Sequence, residues 1–236
     1  MSRGDLQVLG ERYSDLPIVR ALVQLIPYAG GSIDTLIAGR ASTIRLQRIE
    51  HLFEELRKEM ERLGEERPDQ GYMQSEEFDH LVMLAIEKAA RTRQEEKIRY
   101  YARVLSRSLQ SGWSDQPDVV EELLNTIAEL SPTEFTVMQA MWDEVQSHVR
   151  HEVIFQADAA AKTGLRLDID ALAARLSQFK KAMVIGYVAR LQRTGIVVAD
   201  TQGYFDSMGG NFSITPLFEQ LMRLLADRVG ESPEGM

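Results

Sequence analysis

Apolar positions along this chain recur mostly at helical spacing, and a local cap signal near Ser131 divides it in two. From Leu16 to about Leu130 the apolar positions recur every three to four residues, as amphipathic helices require. Ile18, Leu22, Leu25 and Ile26 predict a short helix over Leu16–Tyr28, closed by Gly30-Gly31. Ser32 is a good N-cap for a second, longer helix reaching about Leu63. Its stripe is Ile49, Leu52, Phe53, Leu56, Met60 and Leu63, and Glu54, Glu55, Lys58 and Glu59 are predicted to face water. A loop containing GEERPDQG follows. A third helix is predicted from Ser75 to Leu109, with Phe78, Leu81, Val82, Ala85, Ile98, Ala102 and Leu105 inward. After the break at Ser111–Pro117, Asp118–Leu130 reads as a short helix.

The second half begins with a strong local signal. Ser131-Pro132-Thr133-Glu134 is a capping box with proline at the first helical position. The helix it opens carries Phe135, Met138, Met141 and Trp142. An irregular stretch covers Arg150–Leu167. Asp168 then caps a shorter helix with Ile169, Leu172, Ala173 and Leu176, and a third runs from Phe179 to Arg193 before Thr194-Gly195. The pattern then changes to a β-branched run, Ile196-Val197-Val198, a Gly209-Gly210-Asn211 turn and Phe212–Thr215. Pro216 opens a last helix to Val229. Three helices, a two-stranded hairpin and a helix spell a winged helix-turn-helix.

The expected fold is therefore mainly α. A bundle-like helical domain over 1–130 precedes a winged-helix domain with a small β-hairpin over 131–229, and 230–236 forms a disordered tail. Long helices often complete their cores against a second copy, so a homo-oligomer is expected.

Two resemblances add to this. Leu172-Ala-Ala-Arg-Leu176, Tyr187-Val-Ala-Arg-Leu-Gln-Arg-Thr-Gly-Ile-Val197 and Ile214-Thr-Pro-Leu217 resemble winged-helix regulators of the multiple-antibiotic-resistance type. The likeness covers Ser131–Val229 and implies a fold that serves both DNA reading and protein docking. More faintly, helix Leu46–Leu63, Glu95-Glu-Lys-Ile-Arg-Tyr-Tyr-Ala-Arg-Val-Leu105 and Leu130–Glu134 resemble the bacterial abortive-infection alpha family. That likeness implies a setting in phage defence or stress, and it carries no chemistry over to particular residues.

Composition narrows the chemistry. With no cysteine, neither a disulfide framework, a thiolate nucleophile nor a cysteine-bound metal is possible, which suits a cytoplasmic location. Met1–Asp15 is polar and mixed in charge, unlike a secretory signal. Leu16–Ala38 is the most apolar stretch, but Arg20, Gln24, the double glycine and Asp34 interrupt it, so a membrane span is not expected. That segment would suit a membrane-active defence effector if it rearranged, whereas a tight helix–helix corner is the plainer reading.

The net charge of −9 lacks the basic excess of a nucleic-acid binder. In the regulator family, the start of the third helix of the winged unit presents polar and basic side chains to base edges. Here the resemblance puts Ala182, Met183, Ile185 and Gly186 in those places, and none makes a bidentate bond to a base. Lys180, Lys181, Arg190 and Arg193 remain as candidate phosphate contacts. Thr194–Met222 contains no Lys or Arg, while Asp200, Asp206 and Glu219 would repel a duplex. Protein docking is thus the favoured use of the winged helix, with DNA binding as the alternative.

A second basic candidate lies in the first half, where Arg99, Arg103 and Arg107 recur every four residues with Tyr100 and Tyr101 between them. It reads either as a macromolecule-binding stripe or as a solvated face paired with the acidic helix Glu50–Glu66. His148-Val-Arg-His151-Glu152 matches no common zinc-protease arrangement, and Glu77-Phe-Asp-His80 lacks the second copy that a di-iron bundle needs. No nucleophile elbow, phosphate loop or dinucleotide fingerprint occurs. A non-enzymatic protein without cofactor is expected.

Overall fold

The computed structural model describes residues 42–62, 71–110, 113, 116–153, 166–199 and 211–226. The chain splits into two compact units, Met1–Glu129 and Leu130–Met236. The described residues are mainly helical, with eight α-helices and one small antiparallel sheet. The predicted helix Leu16–Tyr28, the double-glycine corner, the wing turn at Gly209-Gly210 and the tail 230–236 lie outside them.

The first unit contains α1 (Ser42–Arg62), a 3-10 turn (Tyr72–Gln74), α2 (Glu76–Arg91), α3 (Glu95–Ser108) and α4 (Pro117–Glu129). Both α2 and α3 pack against α1, and α4 packs on α2 and α3. Leu52, Phe53 and Leu56 of α1 meet a core built from Phe78, Leu81 and Ile86 of α2, Ile98, Tyr101 and Leu105 of α3, and Leu123 and Leu124 of α4, all buried. At the start of α2 the Ser75 hydroxyl accepts from the Phe78 N–H at 3.2 Å, with Glu76, Glu77 and Asp79 in the first turn, where carboxylates suit the helix dipole. Two helix C-termini are closed by distant cations. Arg48 donates to the Ala90 carbonyl at 3.1 Å, and Lys97 Nζ to the Ala128 carbonyl at 2.7 Å.

One expectation is corrected here. The single helix predicted over Ser75–Leu109 is two helices, broken at Thr92-Arg93-Gln94. Thr92 is extended (φ −78°, ψ 147°), and its Oγ1 accepts from the Gln94 N–H at 3.2 Å. Such a local side-chain bond competes with the helix ladder, and the apolar periodicity on either side does not reveal it.

The second unit runs α5 (Pro132–Val153), β1 (Arg166–Asp168), α6 (Ile169–Arg175), α7 (Lys181–Arg193), β2 (Val197–Ala199), β3 (Asn211–Ile214) and α8 (Pro216–Ala226). The capping box forms in both directions: the Ser131 N–H donates to Glu134 Oε2 at 2.7 Å, and the Glu134 N–H to Ser131 Oγ at 3.3 Å. Asp168 caps α6 by accepting from the Asp170 N–H at 2.9 Å. Gly195 ends α7 at φ 73°, a left-handed conformation that favours glycine.

The sheet has three strands in the order β1-β3-β2, where the sequence predicts only a hairpin. Leu167 pairs with Phe212, and Val197 with Ile214. Only Leu167 of β1 is apolar, and its partner lies 45 positions away in the chain, so no local pattern marks β1 as a strand. Buried Leu167, Ile169, Leu172, Val184, Val188, Leu191, Val197 and Phe212 join Met138 and Met141 of α5 and Phe218 and Leu221 of α8 in one core. The Trp142 and Phe218 rings sit 6.2 Å apart, tying α5 to α8.

Candidate functional site

α7 carries the residues that the sequence singles out, and its burial follows one helical stripe. Val184, Val188 and Leu191 are buried, so at about 100° per residue the opposite face centres on Ala182, Gly186, Ala189 and Arg193. All four are exposed. Met183 is 45% exposed beside this line, Ile185 and Tyr187 are half-buried on its flanks, and the Phe179 ring meets Tyr187 edge-on at 5.7 Å. The middle of the face therefore offers methyl groups, a glycine and a thioether, and the Tyr187 phenol on its flank is the one hydrogen-bonding side chain between Lys181 and Arg190.

The four candidate cations have different environments. Arg190 binds Glu134 through Nε to Oε1 at 2.9 Å and through Nη2 to Oε2 at 3.2 Å. Glu134 is 3% exposed, so Arg190 serves to neutralise a buried carboxylate that also closes the capping box. Lys181 is paired with Asp170 of α6. Lys180, the N-cap residue, and Arg193, in the last turn, are exposed and have no ion pair among the described residues. Sequence reading treats Glu134 only as a cap and misses its second role. The 56-residue separation from Arg190 leaves no local signal of the pair.

The other candidate stripe does not form one continuous surface. Arg103 is 4% exposed, and its Nε and Nη2 donate to Glu59 Oε1 at 3.4 and 3.2 Å. Glu59 also pairs with Arg62 at 3.0 Å. Arg99 is half-buried with its Nε enclosed and lacking a hydrogen-bond partner, and Arg107 donates to Gln110 Oε1 at 2.9 Å. The expected pairing with the acidic helix is seen for Arg103 through Glu59, whereas the expectation that the three arginines share a solvated face is corrected by the position of α3. This helix is buried on most sides, with Lys97, Ser106 and Ser108 enclosed alongside its apolar residues. A step of four residues also turns about 40° around a helix, so the three spread across α3. Glu59, predicted to face water, is enclosed with Arg103.

Burial sets three titration shifts in the first unit. Desolvation holds the Tyr101 phenol far above its usual range and raises Tyr72 as well, and it lowers Lys88. His80 Nε2 lies 3.3 Å from Glu121 Oε2 at an exposed position. Among the described residues no cluster of three His, Asp or Glu side chains is arranged to hold a metal ion. No described helix is long and apolar enough to cross a membrane. The side chains of His148, His151 and Glu152 lie outside the described set.

Comparison with protein-family models, with curated proteins and with solved structures finds no match.

Proposed function

We propose that this chain is a non-enzymatic interaction protein whose second unit is a winged helix used for docking on protein, and whose helical first unit forms homo-oligomers. The helix, strand, helix, helix, strand, strand, helix order over α5–α8, with the sheet order β1-β3-β2, supports the winged-helix reading. One observation carries the function. The solvent face of α7, which a DNA-reading winged helix would place in the major groove, has Ala182, Gly186 and Ala189 along its middle with Met183 beside them. None of these side chains donates to a base edge, and two of the four neighbouring cations are held by Glu134 and Asp170. A setting in bacterial defence or stress rests on the resemblance of the first unit alone.

The second reading, a dimeric DNA-binding regulator, is favoured by one feature: Lys180 and Arg193 remain exposed on a helix that has no acidic residue. A mobility-shift titration of the whole chain against mixed-sequence duplex at low salt separates the two. Docking on protein predicts no sequence-selective complex. A tight selective complex that weakens in Lys180→Ala and Lys181→Ala would overturn it. Light scattering tests the oligomer, and a strict monomer would contradict both homo-oligomerisation and half-site reading.

A further inference from the structure

We infer that the exposed face of α7 seats an amphipathic helix of a partner protein, apolar along its middle and acidic at both ends. The inference rests on the protein-docking reading and specifies its occupant.

The shape of the face is the first reason. Ala182, Gly186 and Ala189 form a low line along the helix, with Met183 and Tyr187 on one side and Ile185 on the other. A Cβ placed on Gly186 would meet nothing within 4 Å, so this line is open from above. A row of short side chains between taller ones is the groove into which the ridge of another helix packs. Met183 supplies an adaptable apolar surface beside it. Only three large apolar side chains are prominently exposed among the described residues, and Met183 is one of them.

Charge selects the occupant. From Ser177 to Ile196 there is no Asp or Glu, while Lys180 stands at one end of α7 and Arg193 at the other. At 1.5 Å per residue they are about 20 Å apart along the axis. Neither has an ion pair among the described residues, so each is available to a carboxylate of an incoming helix. A second copy of α7 is excluded by the same charges. Antiparallel packing would bring Lys180 against Arg193 of the other copy, and parallel packing would bring like residues together. A duplex would find the same two cations, but along the middle of the face its base edges would meet methyl, methylene and thioether groups.

The test uses a displayed library of helical peptides about 16 residues long, long enough to cover the face, randomised throughout and panned against the whole chain. Enriched peptides are expected to carry Asp or Glu in their first and last turns and apolar residues at i, i+3, i+4 and i+7. As synthetic peptides they should bind about tenfold or more weakly to Gly186→Arg and to Lys180→Glu/Arg193→Glu, and unchanged to the α1 control Arg57→Glu. Gly186 is open and helical, so the Arg side chain is accommodated without refolding, and circular dichroism verifies this. No enrichment, enrichment without acidic ends, or affinity unaffected by both α7 variants would overturn the inference. Peptides that bind elsewhere on the chain would leave the docking reading standing. Sequence-selective duplex binding that Gly186→Arg abolishes would overturn both.

Discussion

Replacing Arg190 by methionine separates a structural cation from a binding one. Its guanidinium makes two bonds, of 2.9 and 3.2 Å, to a carboxylate whose side chain is 4% exposed, while half of its own surface meets solvent. A hydrogen bond to a charged group contributes about 1.5–3 kcal/mol, and solvent around Arg190 reduces what these two give together. Without Arg190, Glu134 Oε2 retains the Ser131 N–H, but Oε1 loses its partner while still enclosed. The expected cost is about 2 kcal/mol. Trp142 is buried in α5 and reports on this unit, and a Trp113→Phe background removes the other tryptophan. With a urea slope of about 1–1.5 kcal/mol/M, the midpoint should fall by about 1.5 M. A cycle with Glu134→Gln should show a coupling of about 1 kcal/mol or more. A midpoint shift below about 0.3 M with additive single variants would show that the pair contributes little and return Arg190 to the candidate phosphate contacts.

Three further outcomes follow from the same structure. Gly186→Ala should stabilise the second unit by about 0.5–1 kcal/mol, because glycine weakens a helix interior and its position has room for a methyl group; a loss of stability in thermal unfolding would contradict this. Arg103→Met should cost about 3 kcal/mol by leaving Glu59 enclosed with a weaker set of partners, and adding Glu59→Gln should restore part of it; a cost below about 1 kcal/mol would show that the pair is solvated. Tyr101 keeps its proton in the fold well above pH 10, the ordinary phenol value, so its contribution is intact below pH 10 and is lost as pH rises above it. Stability should fall by up to about 1.4 kcal/mol per pH unit there, a slope that Tyr101→Phe should reduce and whose absence would contradict the assignment.

Much of this architecture is legible in the sequence because local rules fix it. Ser131, Glu134 and Asp168 announce their helices through caps that form within three residues, and the apolar stripe of α7 alone predicts which side it buries. What escapes sequence reading is non-local. β1 exists because Leu167 finds Phe212, and the Thr92 break depends on one hydroxyl bond inside an otherwise helical pattern. The same holds for the charges. Arg103 reads as a surface cation, yet it is buried against Glu59 of α1, and Arg190 reads as a phosphate contact until Glu134 claims it. The candidate face of α7 is legible from Ala182, Met183 and Gly186. Which of its cations remain available is decided by tertiary partners.

Repeated selection of duplexes by the whole chain from a random pool at low salt decides whether α7 reads DNA or, as proposed, docks on protein. The expected outcome is a selected pool without a shared motif, held weakly and released by moderate salt. An enriched half-site motif, with affinity that falls on substitution of Lys180, Arg193 or Gly186, would contradict it.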